Sequence, residues 1–312
     1  MTNFRVLAAF ALSPILVLPA YGQEPDQCRN VVFSDVGWSD ITATTALTST
    51  VLNALGYTTE TRVLSLPVTY TAMSTNDVDV FLGTWMPTME ADIAPYRDTG
   101  AVEMLRVNLD GAKYTLATNR AGADLGIADF SDIAEHKDAL DGKIYGIEPG
   151  NDGNRLLLEM VAMDQFDLGT FEVIESSEQG MLAQVMRATN SDRPVIFLGW
   201  EPHPMNTQLE ITYLTGGDDI FGPNLGGAQV HTVTRADYAT ECPNIGKFLT
   251  NLEFTLSMEN EVMDAILNDG QEPMAAARAW LIANPDAATA WLADITTVDG
   301  NDPYTALQAA LN

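Results

Sequence analysis

Three of the five tryptophans, Trp38, Trp85 and Trp200, stand in the same context, after a short apolar run and a glycine. The segments are VVFSDVGW (31–38), VDVFLGTW (78–85) and PVIFLGW (194–200). Each run is typical of a buried strand, and the glycine is interpreted as the break where the strand ends. Because ligands of open α/β sheets bind at the carboxyl ends of strands, the three indoles could form an aromatic cage for a quaternary ammonium ion. The alternative for each ring is ordinary core packing.

Polar and aromatic residues near these segments could complete such a site. Asp40 lies two positions after the first of the three tryptophans. It either caps a helix or neutralises a cation and accepts a hydrogen bond from a hydroxyl. The loop GNDGN (150–154) is either a simple turn or a polar contact with the ligand, and Asp152 and Asn154 are interpreted as turn and cap residues. Tyr114 is a candidate fourth wall of the cage.

Motifs of catalysis are missing from the sequence. It contains no Gly-x-Ser-x-Gly elbow, no His-Glu-x-x-His, no P-loop and no Gly-x-Gly-x-x-Gly, so neither a metal site nor a cofactor is predicted. The three histidines, His136, His203 and His231, are far apart and have no ligand spacing. His203 lies close to Trp200, where it either structures the loop, lines the cleft or serves as a catalytic base.

The N-terminus predicts export. Residues 1–5 carry one positive charge, residues 6–19 are apolar, and small residues precede Gln23. This pattern is typical of a secretory signal peptide over residues 1–22, with cleavage near Gly22 and a periplasmic mature protein.

The charge balance favours a cationic partner over a nucleic acid. The chain has 43 acidic and 15 basic residues, a net charge of −28. Nucleic acids require a basic surface, whereas an acidic field attracts cations. A generally acidic, solubilising surface is the alternative explanation for most of these charges.

Only two cysteines are present, Cys28 and Cys242. In an exported protein such a pair is most simply a disulfide, and two free buried thiols are the alternative.

Strand and helix patterns alternate up to about residue 243, and helical patterns follow. Helices are expected over residues 131–140 and 286–292 among others, and strands over residues 102–107 and 114–118. The alternation predicts an α/β fold with a parallel or mixed sheet covered by helices. Two similar halves suggest two lobes with a ligand cleft between them. We expect lobe I to comprise residues 23–112 and 213–312, and lobe II residues 113–212.

Four segments together resemble the choline-binding proteins of the glycine betaine/choline/proline betaine solute-binding family of ABC importers. They are FSDVGWSDITAT (33–44), VFLGTWMPTME (80–90), GIEPGNDGNR (146–155) and FLGWEPHPM (197–205). The resemblance covers essentially the whole mature chain.

The resemblance implies a two-lobed type II periplasmic binding fold that closes on its ligand. It implies an aromatic box of Trp38, Trp85, Tyr114 and Trp200 and contacts from Asp40 and Asn151 to the choline hydroxyl. The cysteine pair is a disulfide in this family. The implied partners are an ABC permease with its ATPase, and the implied state is a monomer.

The choice of ligand depends on Asp40. Choline offers a hydroxyl donor and no anion, whereas the carboxylate of glycine betaine would be repelled. The sequence therefore favours choline. The alternatives are another methylated amine, such as glycine betaine, proline betaine or trimethylamine N-oxide, and an exported enzyme that acts on choline esters.

Overall fold

The computed structural model describes residues 24–312, and the expected signal peptide lies outside the described residues. The described chain forms one mixed sheet of nine strands with helices packed around it. The strands are β1 (Asn30–Asp35), β2 (Thr58–Val63), β3 (Val80–Met86), β4 (Val102–Asn119), β5 (Lys143–Tyr145), β6 (Glu172–Ile174), β7 (Ile196–Glu201), β8 (Ile211–Tyr213) and β9 (Gly227–Arg235).

The helices vary from single turns to the four-turn helix that follows β1. They are α1 (Ser39–Ala54), α2 (Leu66–Ser74), α3 (Glu90–Arg97), α4 (Arg120–Asp124), α5 (Asp152–Ala162), α6 (Glu178–Asn190), α7 (Met205–Gln208), α8 (Asp218–Phe221), α9 (Pro223–Gly226), α10 (Tyr238–Glu241), α11 (Pro243–Asn251), α12 (Leu256–Leu267), α13 (Pro273–Ala283) and α14 (Pro303–Leu311). None of the helices in the described part of the chain combines the length and the apolar character that a membrane span requires.

The long strand β4 joins the two halves of the sheet. The strand order is β2-β1-β3-β9-β4-β7-β5-β6, and β8 also pairs with β4. β4 pairs with β9 from Val102 to Lys113, and with β7 from Lys113 to Thr118. β3 runs parallel to β4, whereas β7 runs antiparallel to it. The carboxyl ends of β3 and β7 therefore meet beside the middle of β4.

Two of the three glycines before the tryptophans do not end their strands, which corrects the sequence interpretation. β3 continues through Gly83 to Met86, and β7 continues through Gly199 to Glu201. At Gly83 an added Cβ would lie 2.5 Å from the Ile41 side chain, so close packing of α1 on β3 excludes any larger residue there. Trp85 and Trp200 are therefore held by the sheet itself.

Three other sequence expectations also differ from the structure. In place of one helix over residues 131–140 there are two short 3₁₀ turns, Phe130–Asp132, which Asp129 caps, and Ala134–His136, and residues 285–294 form turns. The strands expected over 102–107 and 114–118 are the single strand β4. The central strand β9, which was not expected, has only a short apolar alternation.

The C-terminal helices return to the first half of the sheet. α12, α13 and α14 pack against α1. Cys28 and Cys242 form a disulfide with Cα atoms 5.5 Å apart, which confirms the expected pairing. This bridge fixes the segment before β1 to the start of α11 and thereby supports the elements that carry Trp38 and Asp40.

Candidate ligand-binding site

Four aromatic rings line a small cavity where the two halves of the sheet meet. The ring of Tyr114 lies 6.1 Å from that of Trp85 and 6.4 Å from that of Trp200, at interplanar angles of 60° and 80°. The rings thus stand as separate walls instead of stacking on one another. The complete lining is Trp38, Asp40, Trp85, Met89, Tyr114, Ile147, Asp152 and Trp200.

Each of the first two tryptophans is oriented by a carboxylate. Trp38 is the N-cap residue of α1, and its indole Nε1 donates a hydrogen bond to Glu148. Trp85 lies one residue before the end of β3, and its Nε1 donates to Oδ2 of Asp40 at 3.2 Å. Because an indole has a single N–H donor, these bonds fix the orientation of each ring.

Trp200 belongs to β7, and the ring of His203 packs against its indole. The two ring centroids lie 5.0 Å apart. Nδ1 of His203 accepts a hydrogen bond from the Met205 amide at 3.0 Å, so the proton lies on Nε2, which donates to Glu178 at 3.3 Å. Both ring nitrogens are therefore engaged, and the histidine supports the loop around Trp200.

Tyr114 stands opposite Trp200 in the pairing of β4 with β7. Its hydroxyl reaches the first turn of α5, where a Cβ added to Gly153 would lie 1.9 Å from the hydroxyl oxygen. Only glycine allows this approach. The Phe221 ring packs edge-on against Tyr114 at 6.0 Å between centroids.

Asp40 combines an engaged oxygen with a free one. Its side chain is 2% exposed, Oδ2 accepts from Trp85, and Oδ1 has no hydrogen-bond partner. Burial, and secondly the nearby charge of Glu178, raise the pKa of Asp40 to about 8. A buried acceptor without a donor is costly, so a ligand that supplies a hydroxyl or a positive charge is stabilised here.

Asp152 corrects the interpretation of the loop before α5. The cap of α5 is Asn151, whose side chain accepts from the Asn154 amide, and Asp152 is the first helical residue. Its carboxyl lies on the cavity wall, fully buried, with neither oxygen in a hydrogen bond. Sequence reasoning missed this residue because an aspartate after a strand is an ordinary turn or cap residue.

Asn151 lies next to two residues that line the cavity, Tyr114 and Asp152. Its Oδ1 accepts from the Asn154 amide at 2.8 Å and lies 3.5 Å from the Tyr114 hydroxyl, while Nδ2 donates to the Glu148 carbonyl. The residue therefore orders both the loop and Tyr114.

Carboxylates also connect the two sides of the cavity. Both oxygens of Glu178, at the start of α6, accept hydrogen bonds from Ser39, from its hydroxyl at 2.6 Å and from its amide at 3.0 Å. Burial raises the pKa of Glu148, which accepts from Trp38. Apart from His203, the polar side chains named around the rings are acidic or neutral, which suits a cation.

A metal site finds no support in the described residues. The group of potential ligands found in residues 24–312 is Glu24 with Cys28 and Cys242. Both sulfurs belong to the disulfide, so they cannot act as thiolate ligands.

Comparison with known proteins agrees with this geometry. Residues 29–283 match the family described as the substrate-binding domain of the ABC-type glycine betaine transport system. The fold superimposes on an ABC-transporter choline binding protein in complex with choline, with 65% identity, a TM-score of 0.91 and coverage of 93% of this chain and 100% of that chain.

Two further relatives place this similarity in context. An ABC-transporter choline binding protein in an unliganded semi-closed conformation is 64% identical, with a TM-score of 0.85 and coverage of 92% of this chain and 100% of that chain. The glycine betaine/carnitine transport binding protein GbuC of Listeria monocytogenes is 28% identical over 205 residues, which are 65% of this chain and 63% of that protein.

The expected two-lobed type II periplasmic binding fold is confirmed. The chain belongs to the family of substrate-binding domains of ABC-type glycine betaine transport systems.

Proposed function

We propose that this protein is the choline-binding component of an ABC importer. The observation that carries the proposal is the cage of four aromatic rings with a buried, unpaired carboxylate oxygen at its side. The 65% identity to a choline binding protein of an ABC transporter supports the same ligand.

The cage suits a trimethylammonium group because that group has no N–H to donate. Recognition must therefore come from ring faces and shape. Trp38, Trp85, Tyr114 and Trp200 supply four faces in a site shielded from water, where a cation–π contact contributes up to about 2 kcal/mol.

The hydroxyl end of choline would be recognised by Asp40 and Asn151. Oδ1 of Asp40 is free to accept. Oδ1 of Asn151 has only a long contact with the Tyr114 hydroxyl besides its cap bond, so it can also accept from a ligand hydroxyl. The carboxylate of glycine betaine would instead be repelled by the negative charge of Asp40.

The ligand would be enclosed by closure of two lobes that are connected through β4 and the start of β9. β4 changes partner at Lys113. Leu214 and Thr215 donate backbone hydrogen bonds to Leu116 and Ala128, so we assign residues 213–226 to lobe II instead of lobe I. On this division lobe I comprises residues 24–112 and 227–312, and lobe II residues 113–226.

Several contacts then hold the lobes together in the closed form. Arg155 donates to Asp92 and to the Thr88 carbonyl, both at 2.9 Å, and Ser39 binds Glu178. A ligand bridging Trp85 and Trp200 would add to these contacts and stabilise closure. The closed form would be the state that the permease, with its ATPase, receives in the periplasm from an exported monomer.

Calorimetric titration of the ligand-stripped protein tests the proposal. We expect one choline to bind per chain, at least about tenfold more tightly than glycine betaine, which corresponds to about 1.4 kcal/mol. Preference for glycine betaine would retain the cage but refute the assignment of choline. If neither compound bound, the cage would not be a quaternary ammonium site, and turnover of a choline ester would then be measured.

A further inference from the structure

The cavity contains a second carboxylate whose position the hydroxyl end of choline does not explain. Asp152 begins α5, on the side of the cavity that belongs to lobe II, whereas Asp40 lies on α1 of lobe I. Asp152 is 0% exposed, and neither of its oxygens has a hydrogen-bond partner. An unpaired buried carboxylate is destabilising and so requires an explanation.

The nearby basic residue does not neutralise Asp152. The guanidinium of Arg155 is engaged with Asp92 at 2.9 Å and with the Thr88 carbonyl. Burial raises the pKa of Asp152 to about 7, and the negative charge of Asp92 adds to this shift. The positive charge of Arg155 and the nearby Thr88 hydroxyl, which donates to the Trp85 carbonyl at 3.4 Å and not to Asp152, offset it only in part.

We propose that Asp152 is a specificity-determining residue that supplies the counter-charge for the cationic head of the ligand. The inference rests on the proposed function and adds the residue that neutralises the ammonium charge from lobe II. Asp40 then accepts from the hydroxyl, the rings enclose the methyl groups, and Asp152 compensates the positive charge.

This division of roles favours a ligand with a net positive charge over a zwitterion. A cation in the cage neutralises a carboxylate that is otherwise buried without a partner, so the closed form gains most when a cation is bound. A zwitterion also brings an anionic group into a cavity with carboxylates on two walls. Asp152 therefore contributes to selectivity as well as to affinity.

The test compares Asp152→Asn with Asp138→Asn, which removes the same charge at an exposed position of lobe II. Choline affinity is measured by calorimetry at about pH 8.5, where the carboxyl is ionised, and the melting temperature is measured without ligand. We expect Asp152→Asn to weaken choline binding at least about tenfold. We also expect its ligand-free melting temperature to be unchanged or higher, because an uncompensated buried charge is removed.

Three results would overturn the inference. The first is a choline affinity of Asp152→Asn within about threefold of wild type, less than 1 kcal/mol. The second is an equal loss in Asp138→Asn, since that would reflect net charge alone. The third is weaker binding together with a clearly lower ligand-free melting temperature, since Asp152 would then support the loop. If wild type itself bound no choline, the proposed function would fail and this inference with it.

Discussion

Replacing Asp40 by asparagine should exchange the ligand preference of the site. The carboxylate has two tasks, because Oδ2 accepts from Trp85 at 3.2 Å while Oδ1 is free. Asparagine has one acceptor oxygen and one NH₂ group, so it can perform only one of these tasks. If its oxygen keeps the bond to Trp85, an N–H group faces the cavity and would donate to a ligand carboxylate.

The magnitude follows from burial. Asp40 is 2% exposed, so the bond to the choline hydroxyl is charge-assisted and shielded from water. Loss of a hydrogen bond to a charged group costs about 1.5–3 kcal/mol, or about 10- to 100-fold in choline affinity. For glycine betaine, two like charges about 4 Å apart repel by about 4 kcal/mol at an effective dielectric constant near 20, and the substitution removes this repulsion. The affinity ratio should fall at least about 100-fold.

Calorimetric titration with both ligands measures this ratio directly. Wild type, Asp40→Asn and the exposed control Asp269→Asn are compared at about pH 9, where the Asp40 carboxyl with its pKa of about 8 is ionised. We expect the control to behave as wild type. An unchanged choline affinity in Asp40→Asn, with glycine betaine still excluded, would refute the assignment of Asp40 to the ligand.

Three further predictions address the cage, the charge and the disulfide. Trp200→Ala should weaken choline binding at least about 30-fold, which corresponds to the loss of one desolvated cation–π contact of about 2 kcal/mol. The circular dichroism spectrum of this variant should stay native. Wild-type affinity would remove Trp200 from the cage. Burial and Glu178 raise the pKa of Asp40 to about 8, and a bound cation favours the charged form of the carboxyl. Calorimetry should therefore find that choline binding strengthens from pH 6 to pH 9 and then levels off. A flat pH profile would contradict this. Replacing Cys28 and Cys242 by serine should lower the free energy of unfolding in urea by about 2–5 kcal/mol, and an unchanged midpoint would argue against a stabilising bridge.

The three tryptophans of the proposed cage could be predicted from the sequence because each has a local signal, whereas Tyr114 has none. Trp38, Trp85 and Trp200 each follow an apolar run and a glycine, and strands of this kind place their ends in one crevice. The expectation that Gly83 and Gly199 end their strands was nevertheless wrong. Gly83 is required by contact with a side chain of α1, and such a contact between distant segments leaves no trace in local sequence.

Other features depend on distant parts of the chain and were missed or misread. β9 is a central strand because it fills the place between β3 and β4, although its own sequence alternates only weakly. Asp152 has the sequence context of a turn residue, and only the packing of α5 against the rings places its carboxyl on the cavity wall. The partners of Trp38 and Ser39, Glu148 and Glu178, lie more than one hundred positions away.

A crystal structure of the protein grown with choline would show where and how the ligand binds. We expect the trimethylammonium group among Trp38, Trp85, Tyr114 and Trp200, with the choline hydroxyl donating to Oδ1 of Asp40. Choline bound elsewhere, or with its hydroxyl turned away from Asp40 and its ammonium group outside the four rings, would refute the proposed choline site.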